Sequence, residues 1–204
     1  MDRFPIIAVA SSAGDLGVVA ELLAALPAAG GAAVAIVQHL DPARRDLPLE
    51  HALANRTDLP VLVAHDGVVP KRGHVYVLRA NSTLTINGGR MRVSPRASGH
   101  SDPGNTLFTS LAAELSSSAI GIVLSGTGCD GAIGTRAIKQ LGGTTFAQYP
   151  GSARFPGMPL SAIETGCVDF VLRPNEIARE LSRLDACRAH IALHVPPIRV
   201  SVTD

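Results

Sequence analysis

Three short apolar runs, Pro5 to Ala10, Ala33 to Gln38 and Ile120 to Leu124, constrain this chain more than any other feature. Each is too short for a helix and lacks the apolar/polar alternation of a half-exposed strand, so each reads as a strand buried on both faces. Polar or glycine-bearing turns follow them. After Ser11-Ser12-Ala13-Gly14, the segment Leu16 to Leu26 takes up helical spacing until Pro27 ends it. After His39-Leu40-Asp41-Pro42, a helix is expected over Pro48 to Arg56. After Gly126-Thr127-Gly128-Cys129-Asp130-Gly131, a helix is expected to end near Leu141. Strands that alternate with helices in this way build a doubly wound α/β fold, a mostly parallel sheet with helices on both faces.

The remaining segments fit that plan. Short strands are expected at Pro60 to Ala64 and Gly73 to Leu78, and Thr83 to Ile86 with Met91 to Val93 around Asn87-Gly88-Gly89 reads as an antiparallel β-hairpin. A polar loop, Ser94 to Gly104, leads to a helix around Asn105 to Leu115. Further strands are expected at Thr144 to Ala147 and Asp169 to Leu172, with a short helix between them and a last helix from Asn175 to Leu184. Residues 1–184 therefore read as one domain and residues 185–204 as a C-terminal tail.

Composition narrows the function. A net charge of +1 lacks the cationic excess that displaces counterions from phosphates, which argues against nucleic acid as a partner. The 46% hydrophobic content with 3% aromatic residues and no Trp calls for a core of Ala, Val, Leu and Ile. No apolar run approaches the roughly 18 to 20 residues that span a bilayer, so membrane insertion is not expected. Cys129, Cys167 and Cys187 are an odd set with no Cys-x-x-Cys spacing, as in a reducing compartment, and the cytoplasm is the expected location. Ala8-Val9-Ala10 imitates a signal-peptidase site, but the segment before it is too short to be a leader.

In an open parallel sheet, ligands bind beyond the carboxyl ends of the strands. Ser12, His39 and Asp130 each follow the end of a buried strand by no more than about six residues, so all three are expected on one edge of the sheet. Hydroxyl, imidazole and carboxylate are the parts of a nucleophilic triad, in which the ring takes the hydroxyl proton and the acid fixes the ring. Taken singly, the same residues have plainer uses: an N-cap, a satisfied polar side chain and a turn former. Gly14-Asp15-Leu16-Gly17 and Gly126-Thr127-Gly128 also suggest a phosphate-binding turn, but the first lacks a full Gly-x-Gly-x-x-Gly and sets Asp15 against the anion. The histidines at 51, 65, 74, 100, 190 and 194 are scattered and show no metal-binding pattern, so neither a metal nor a cofactor is expected. Cys129 reads as a turn or core residue rather than a nucleophile, with no His near it in sequence.

Taken together, these motifs resemble the catalytic domain of CheB, the chemotaxis protein-glutamate methylesterase, from Ile6 to Leu184. Ala8-Val9-Ala10-Ser11-Ser12-Ala13-Gly14 is similar to the family's strand and nucleophile turn and puts the nucleophile at Ser12 rather than Ser11. Val37-Gln38-His39-Leu40-Asp41-Pro42 resembles the Gln-His segment that carries the base. Leu124-Ser125-Gly126-Thr127-Gly128-Cys129-Asp130-Gly131 resembles the segment that carries the orienting acid, and Gly157-Met158-Pro159 with Ser161-Ala162-Ile163 also matches. Around His39, Ser125 to Gly131 and Val168 to Leu172, the wording is closest to CheB-like domains of CheB/CheR fusion proteins.

The resemblance implies hydrolysis of glutamyl methyl esters by Ser12, His39 and Asp130, with glutamine deamidation through a similar intermediate. Oxyanion donors are expected among the backbone N–H groups of Ala13, Gly14, Thr127 and Gly128. The implied partner is a methylated chemoreceptor or similar methylated protein, with a CheR-type methyltransferase in the same pathway. The chain has no room for the receiver domain that precedes the chemotaxis esterase, so control by an attached receiver is not expected. Three residues depart from the family pattern: Asp15 stands where a second Gly is common, Asn105 where Asp is frequent, and Thr127 where Met is frequent. A non-catalytic module that only binds a partner is the alternative. Arg44, Arg45 and Arg154 read as solvated charges that a cleft-facing position would turn toward an acidic substrate.

Overall fold

A computed structural model describes residues 4–12, 15–27, 30–39, 48–96 and 102–194, with the backbone alone for His39 and for 188–194. The first apolar run forms strand β1 (Ile6–Ser12), followed by helix α1 (Leu16–Ala24), and the second forms β2 (Ala33–His39), followed by α2 (Leu49–Ala54). Two three-residue strands, β3 (Val61–Val63) and β4 (Val75–Val77), precede the hairpin strands β5 (Ser82–Asn87) and β6 (Arg90–Pro95). The chain continues through α3 (Pro103–Leu115), β7 (Ala119–Val123), α4 (Ala132–Gln140) and β8 (Thr144–Gln148). It closes with α5 (Gly157–Glu164), β9 (Phe170–Leu172) and α6 (Pro174–His194).

Seven strands form one sheet in the order β3-β4-β2-β1-β7-β8-β9, every pair parallel, while β5 and β6 form a separate antiparallel pair. The doubly wound fold expected from the sequence is present. Burial follows strand position: Ile6 to Ser11 and all of β7 are buried, whereas the edge strands β3 and β9 expose their middle residues, Leu62 and Val171. An uninterrupted apolar run is thus the mark of a strand with neighbours on both sides and helices on both faces.

Alternation along β1 divides the core. Ile6, Ala8 and Ala10 face a layer made by α3, α4, α5 and the hairpin, through Leu107, Phe108, Ile138, Met158 and Leu84. Ile7 and Val9 face α1, α2 and α6, through Val19, Leu22, Leu53, Ile177 and Leu181. Small residues set how closely the first layer approaches. A Cβ on Gly134 would lie 2.4 Å from Phe108 Cβ, and one on Gly121 would lie 3.1 Å from Phe108 Cε2. The Phe108 ring therefore fills the space two missing side chains leave, which brings the starts of α3 and α4 close together.

Several helices begin or end differently from the expectation: α1 and α2 each stop two residues early, at Ala24 and Ala54. α3 starts at Pro103, two residues earlier, because proline suits a first turn where its missing N–H has no partner to lose. α6 continues through the stretch expected to be tail, as far as His194. The Asp185 carboxylate accepts a 3.0 Å hydrogen bond from Gly31 N, which ties this helix to the start of β2.

Candidate active site

Ser12 is the last residue of β1 and pairs in register with His39, the last residue of β2. Equal offsets of parallel strands thus bring two positions 27 apart in sequence side by side on the carboxyl edge of the sheet. Both backbone groups of Ser12 are fixed: its N–H donates to Ser125 O at 3.1 Å, and its carbonyl accepts from Gln38 Nε2 at 3.2 Å. The neighbouring Ser11 is buried, and its Oγ has no hydrogen-bond partner among the described residues. Ser12 itself is half-buried.

Asp130 is 5% exposed and reaches this layer from the turn before α4. Its carboxylate accepts hydrogen bonds from the first-turn amides of α3, Gly104 N to Oδ2 at 2.9 Å and Asn105 N to Oδ1 at 2.8 Å. Helix N-terminal N–H groups have no partner inside the helix and carry partial positive charge, so a carboxylate is well held there. A Cβ on Gly104 would lie 2.8 Å from Ala10 Cβ and 3.0 Å from each Asp130 carboxylate oxygen. The start of α3 therefore packs between the Asp130 carboxylate and Ala10, which precedes Ser12 by one step on the same face of β1. Gly131 makes the sharp turn into α4 with φ 95°, a left-handed conformation that suits glycine.

The third wall is the segment Arg154 to Met158. Phe155 N donates to Ser125 Oγ at 3.0 Å, Gly126 N to Phe155 O at 2.8 Å and Met158 N to Gly126 O at 2.8 Å. Ser125 N in turn donates to Oε1 of the buried Gln148 at 2.8 Å. A Cβ on Gly126 would lie 2.1 Å from Met158 Sδ and 3.0 Å from Ser12 Cβ, so a bare backbone is required where this wall meets Ser12. Thr127, Gly128 and Cys129 are exposed beside it, with Gly128 at φ 86°. Cys129 is therefore a turn residue rather than a core one.

Other expected residues fall outside this cluster. Ala13, Gly14, Arg44 and Arg45 lie outside the described residues. Asp15 sits at the N-cap of α1 without a side-chain capping bond. Arg154 is exposed, its guanidinium 5.3 Å from the centre of the Phe155 ring. Among the described residues no three His, Cys, Asp or Glu side chains gather as a metal ion requires, and no helix is long and apolar enough to cross a membrane.

Sequence reasoning singled out the three chemical residues but not their supports. Gln38, Ser125, Gln148 and Gly104 position the site, and Asn105 was singled out only as a departure. Gln38 carried a signal, a buried amide at the end of an otherwise apolar strand, where a polar side chain needs a partner.

The chain matches the family described as CheB methylesterase over residues 7–181. It is 35% identical over 184 residues to protein-glutamate methylesterase/protein-glutamine glutaminase 3 of Anaeromyxobacter dehalogenans (strain 2CP-C), a match that covers 88% of this chain and 54% of the relative. It is 34% identical over 188 residues to protein-glutamate methylesterase FrzG of Myxococcus xanthus, covering 90% of this chain and 56% of the relative. The chain thus spans about half the length of the curated relatives it matches. Among solved structures, the Thermotoga maritima CheB methylesterase catalytic domain superposes with a TM-score of 0.80 at 28% identity, covering 89% of this chain and 99% of that one.

Proposed function

Because the chain belongs to the CheB methylesterase family, we propose that it hydrolyses methyl esters of glutamyl side chains on a chemoreceptor-like protein. Ser12 is the nucleophile, His39 the general base and Asp130 the orienting acid. The observation that carries this reading is the register of β1 and β2, which pairs Ser12 with His39, together with Gly104, which approaches both the Asp130 carboxylate that it holds and Ala10 on the Ser12 face. Ala33, Ala35 and Val37 face the same layer as Ala10, and strand alternation assigns position 39 to that set.

In the reaction, the Ser12 oxygen forms a bond to the ester carbonyl carbon as its proton passes to the His39 ring. The resulting oxyanion is held by backbone N–H groups of Ala13, Gly14, Thr127 and Gly128, since such donors act on charge as it develops. Collapse breaks the bond to methoxide, which takes the proton from His39 and leaves as methanol. Water then repeats the sequence on the acyl-serine, returning Ser12 and a glutamate carboxylate. A primary amide follows the same path with ammonia as the leaving group, so glutamine deamidation belongs to the same machinery, as the double name of the Anaeromyxobacter relative suggests. The substrate implies a CheR-type methyltransferase that supplies the ester, and a cytoplasmic location where both meet it. Residues 1–184 form the catalytic unit.

The test is methanol release from a γ-methyl-glutamyl receptor fragment, run beside Ser12→Ala. The variant is expected to lose roughly 10⁴-fold or more in turnover. A fluorophosphonate is expected to label Ser12 in the native chain. Full turnover in Ser12→Ala refutes the assignment. A native chain that neither releases methanol nor takes the label is a binding module instead.

A further inference from the structure

α3 and α4 start side by side, and neither is capped by its own flanking side chain. The residues at their N-caps, Asp102 and Gly131, make no side-chain capping bond. Each helix is capped by the other instead. The Asp130 carboxylate, from the turn before α4, takes the N–H groups of Gly104 and Asn105 in the first turn of α3. In return Asn105 Oδ1, from the first turn of α3, accepts from Gly131 N at 3.0 Å and from Gly134 N at 2.9 Å at the start of α4. Asn105 Nδ2 donates to Asp102 Oδ2 at 3.2 Å, which fixes the amide so that its oxygen faces α4. The residue is 9% exposed, and both N–H groups it accepts are buried.

We propose that Asn105 is a positioning residue for the acid of the active site, and that its amide oxygen locks the Asp130 turn against α3. The proposal rests on the catalytic reading given above. Its physical basis is that one residue grips the acid turn twice. The Asn105 backbone N–H holds the carboxylate before Gly131, and its side-chain oxygen holds the backbone after it. Removing that oxygen leaves two buried N–H groups without an acceptor, a state that costs more than the bond itself contributes. The turn relieves it by moving toward water, and Asp130 moves with it. An acid displaced by about an ångström no longer orients its imidazole, and rates are steeply sensitive to such displacements.

The experiment compares Asn105→Ala and Asn105→Asp with the native chain, normalised to folded protein by circular dichroism. Two assays are run: kcat and KM for methanol release from a γ-methyl-glutamyl receptor fragment, and the rate at which a fluorophosphonate phosphonylates Ser12 with release of fluoride. Asn105→Ala is expected to lower kcat and labelling rate roughly ten- to a hundredfold with KM nearly unchanged. Asn105→Asp, made together with Asp102→Asn so that no like charge replaces the bond to Asp102, keeps one oxygen facing Gly131 and Gly134, and is expected to recover most of both rates. An Asn105→Ala protein that melts earlier but retains native kcat and labelling per folded molecule overturns the proposal, since a merely structural cap behaves that way. A failure of this double variant to outperform Asn105→Ala overturns it too, because the acceptor oxygen is then not what matters. Ser12→Ala separates the two levels. If Ser12→Ala is inactive and unlabelled while Asn105→Ala is native-like, only the positioning role falls; if Ser12→Ala retains turnover, the catalytic reading itself is wrong.

Discussion

Replacing Gly104 with alanine tests whether the acid is held against the central strand as tightly as the geometry requires. The new methyl carbon would sit 2.8 Å from Ala10 Cβ and 3.0 Å from both Asp130 carboxylate oxygens. Carbon atoms in contact prefer about 3.5 to 4.0 Å, so the overlap with Ala10 approaches an ångström. Neither neighbour has a flexible end that can swing aside: Ala10 has no rotatable side chain, and Asp130 is held through both oxygens. α3 must therefore move off β1. Overpacking of this kind costs about 1–3 kcal/mol, of which a better helix former returns at most about 1 kcal/mol. With that return taken in full, the net loss is up to about 2 kcal/mol, which in a chain of this size lowers Tm by up to about 8 °C. The same shift stretches the two bonds to Asp130, so kcat for methanol release is expected to fall at least about tenfold. Scanning calorimetry and the methanol assay read both effects. Adding Ala10→Gly removes the opposing methyl and is expected to restore activity more than stability, since glycine weakens a strand. A Gly104→Ala chain with native Tm and native kcat would refute the packing argument and the placement of Asp130 that rests on it.

Gly126→Ala is expected to slow fluorophosphonate labelling of Ser12 and to lower Tm, since its methyl group meets Met158 Sδ and Ser12 Cβ together; native labelling kinetics would show that this wall does not constrain the nucleophile. A different prediction concerns acid stability. Burial alone would raise the Asp169 pKa, but its bonds from Lys139 Nζ, Thr145 N and Thr145 Oγ1 outweigh it and hold the carboxyl below its ordinary 3.8. The folded state therefore binds the proton less readily than the unfolded chain, so this stabilisation is complete above about pH 3.8 and fades as pH falls through the lower folded value. Asp169→Asn is expected to lower Tm near neutrality, with the gap to the native chain closing in that acidic window; a gap that stays constant from about pH 6 to about pH 2 would contradict it.

The parts of this structure that were legible in the sequence are those set by continuous burial. β1, β2 and β7 appear as apolar runs because every side chain on them meets a helix layer, and the turns after them stand out because polar residues gather there, at the edge where open parallel sheets bind ligands. The start of α3 was less legible. Asp102-Pro103-Gly104 reads as loop by composition, and the tertiary partner Asp130 joins the proline in making those residues a helix start. Asn105 illustrates the same limit: by sequence it is a missing charge, while its contacts make it the acceptor that two backbone amides of another helix depend on. The extent of α6 was illegible too, because Asp185 is tied to Gly31 N, a partner that no local pattern announces.

The strand that ends in Ser12 has three neighbours on either side. Amides along its length should be among the last in the molecule to exchange with deuterated solvent, opening only when the whole domain opens. Chemistry anchored there is insulated from the periphery. With Ser12 as the proposed nucleophile, sequence change at the edge strands would leave its place in the scaffold undisturbed.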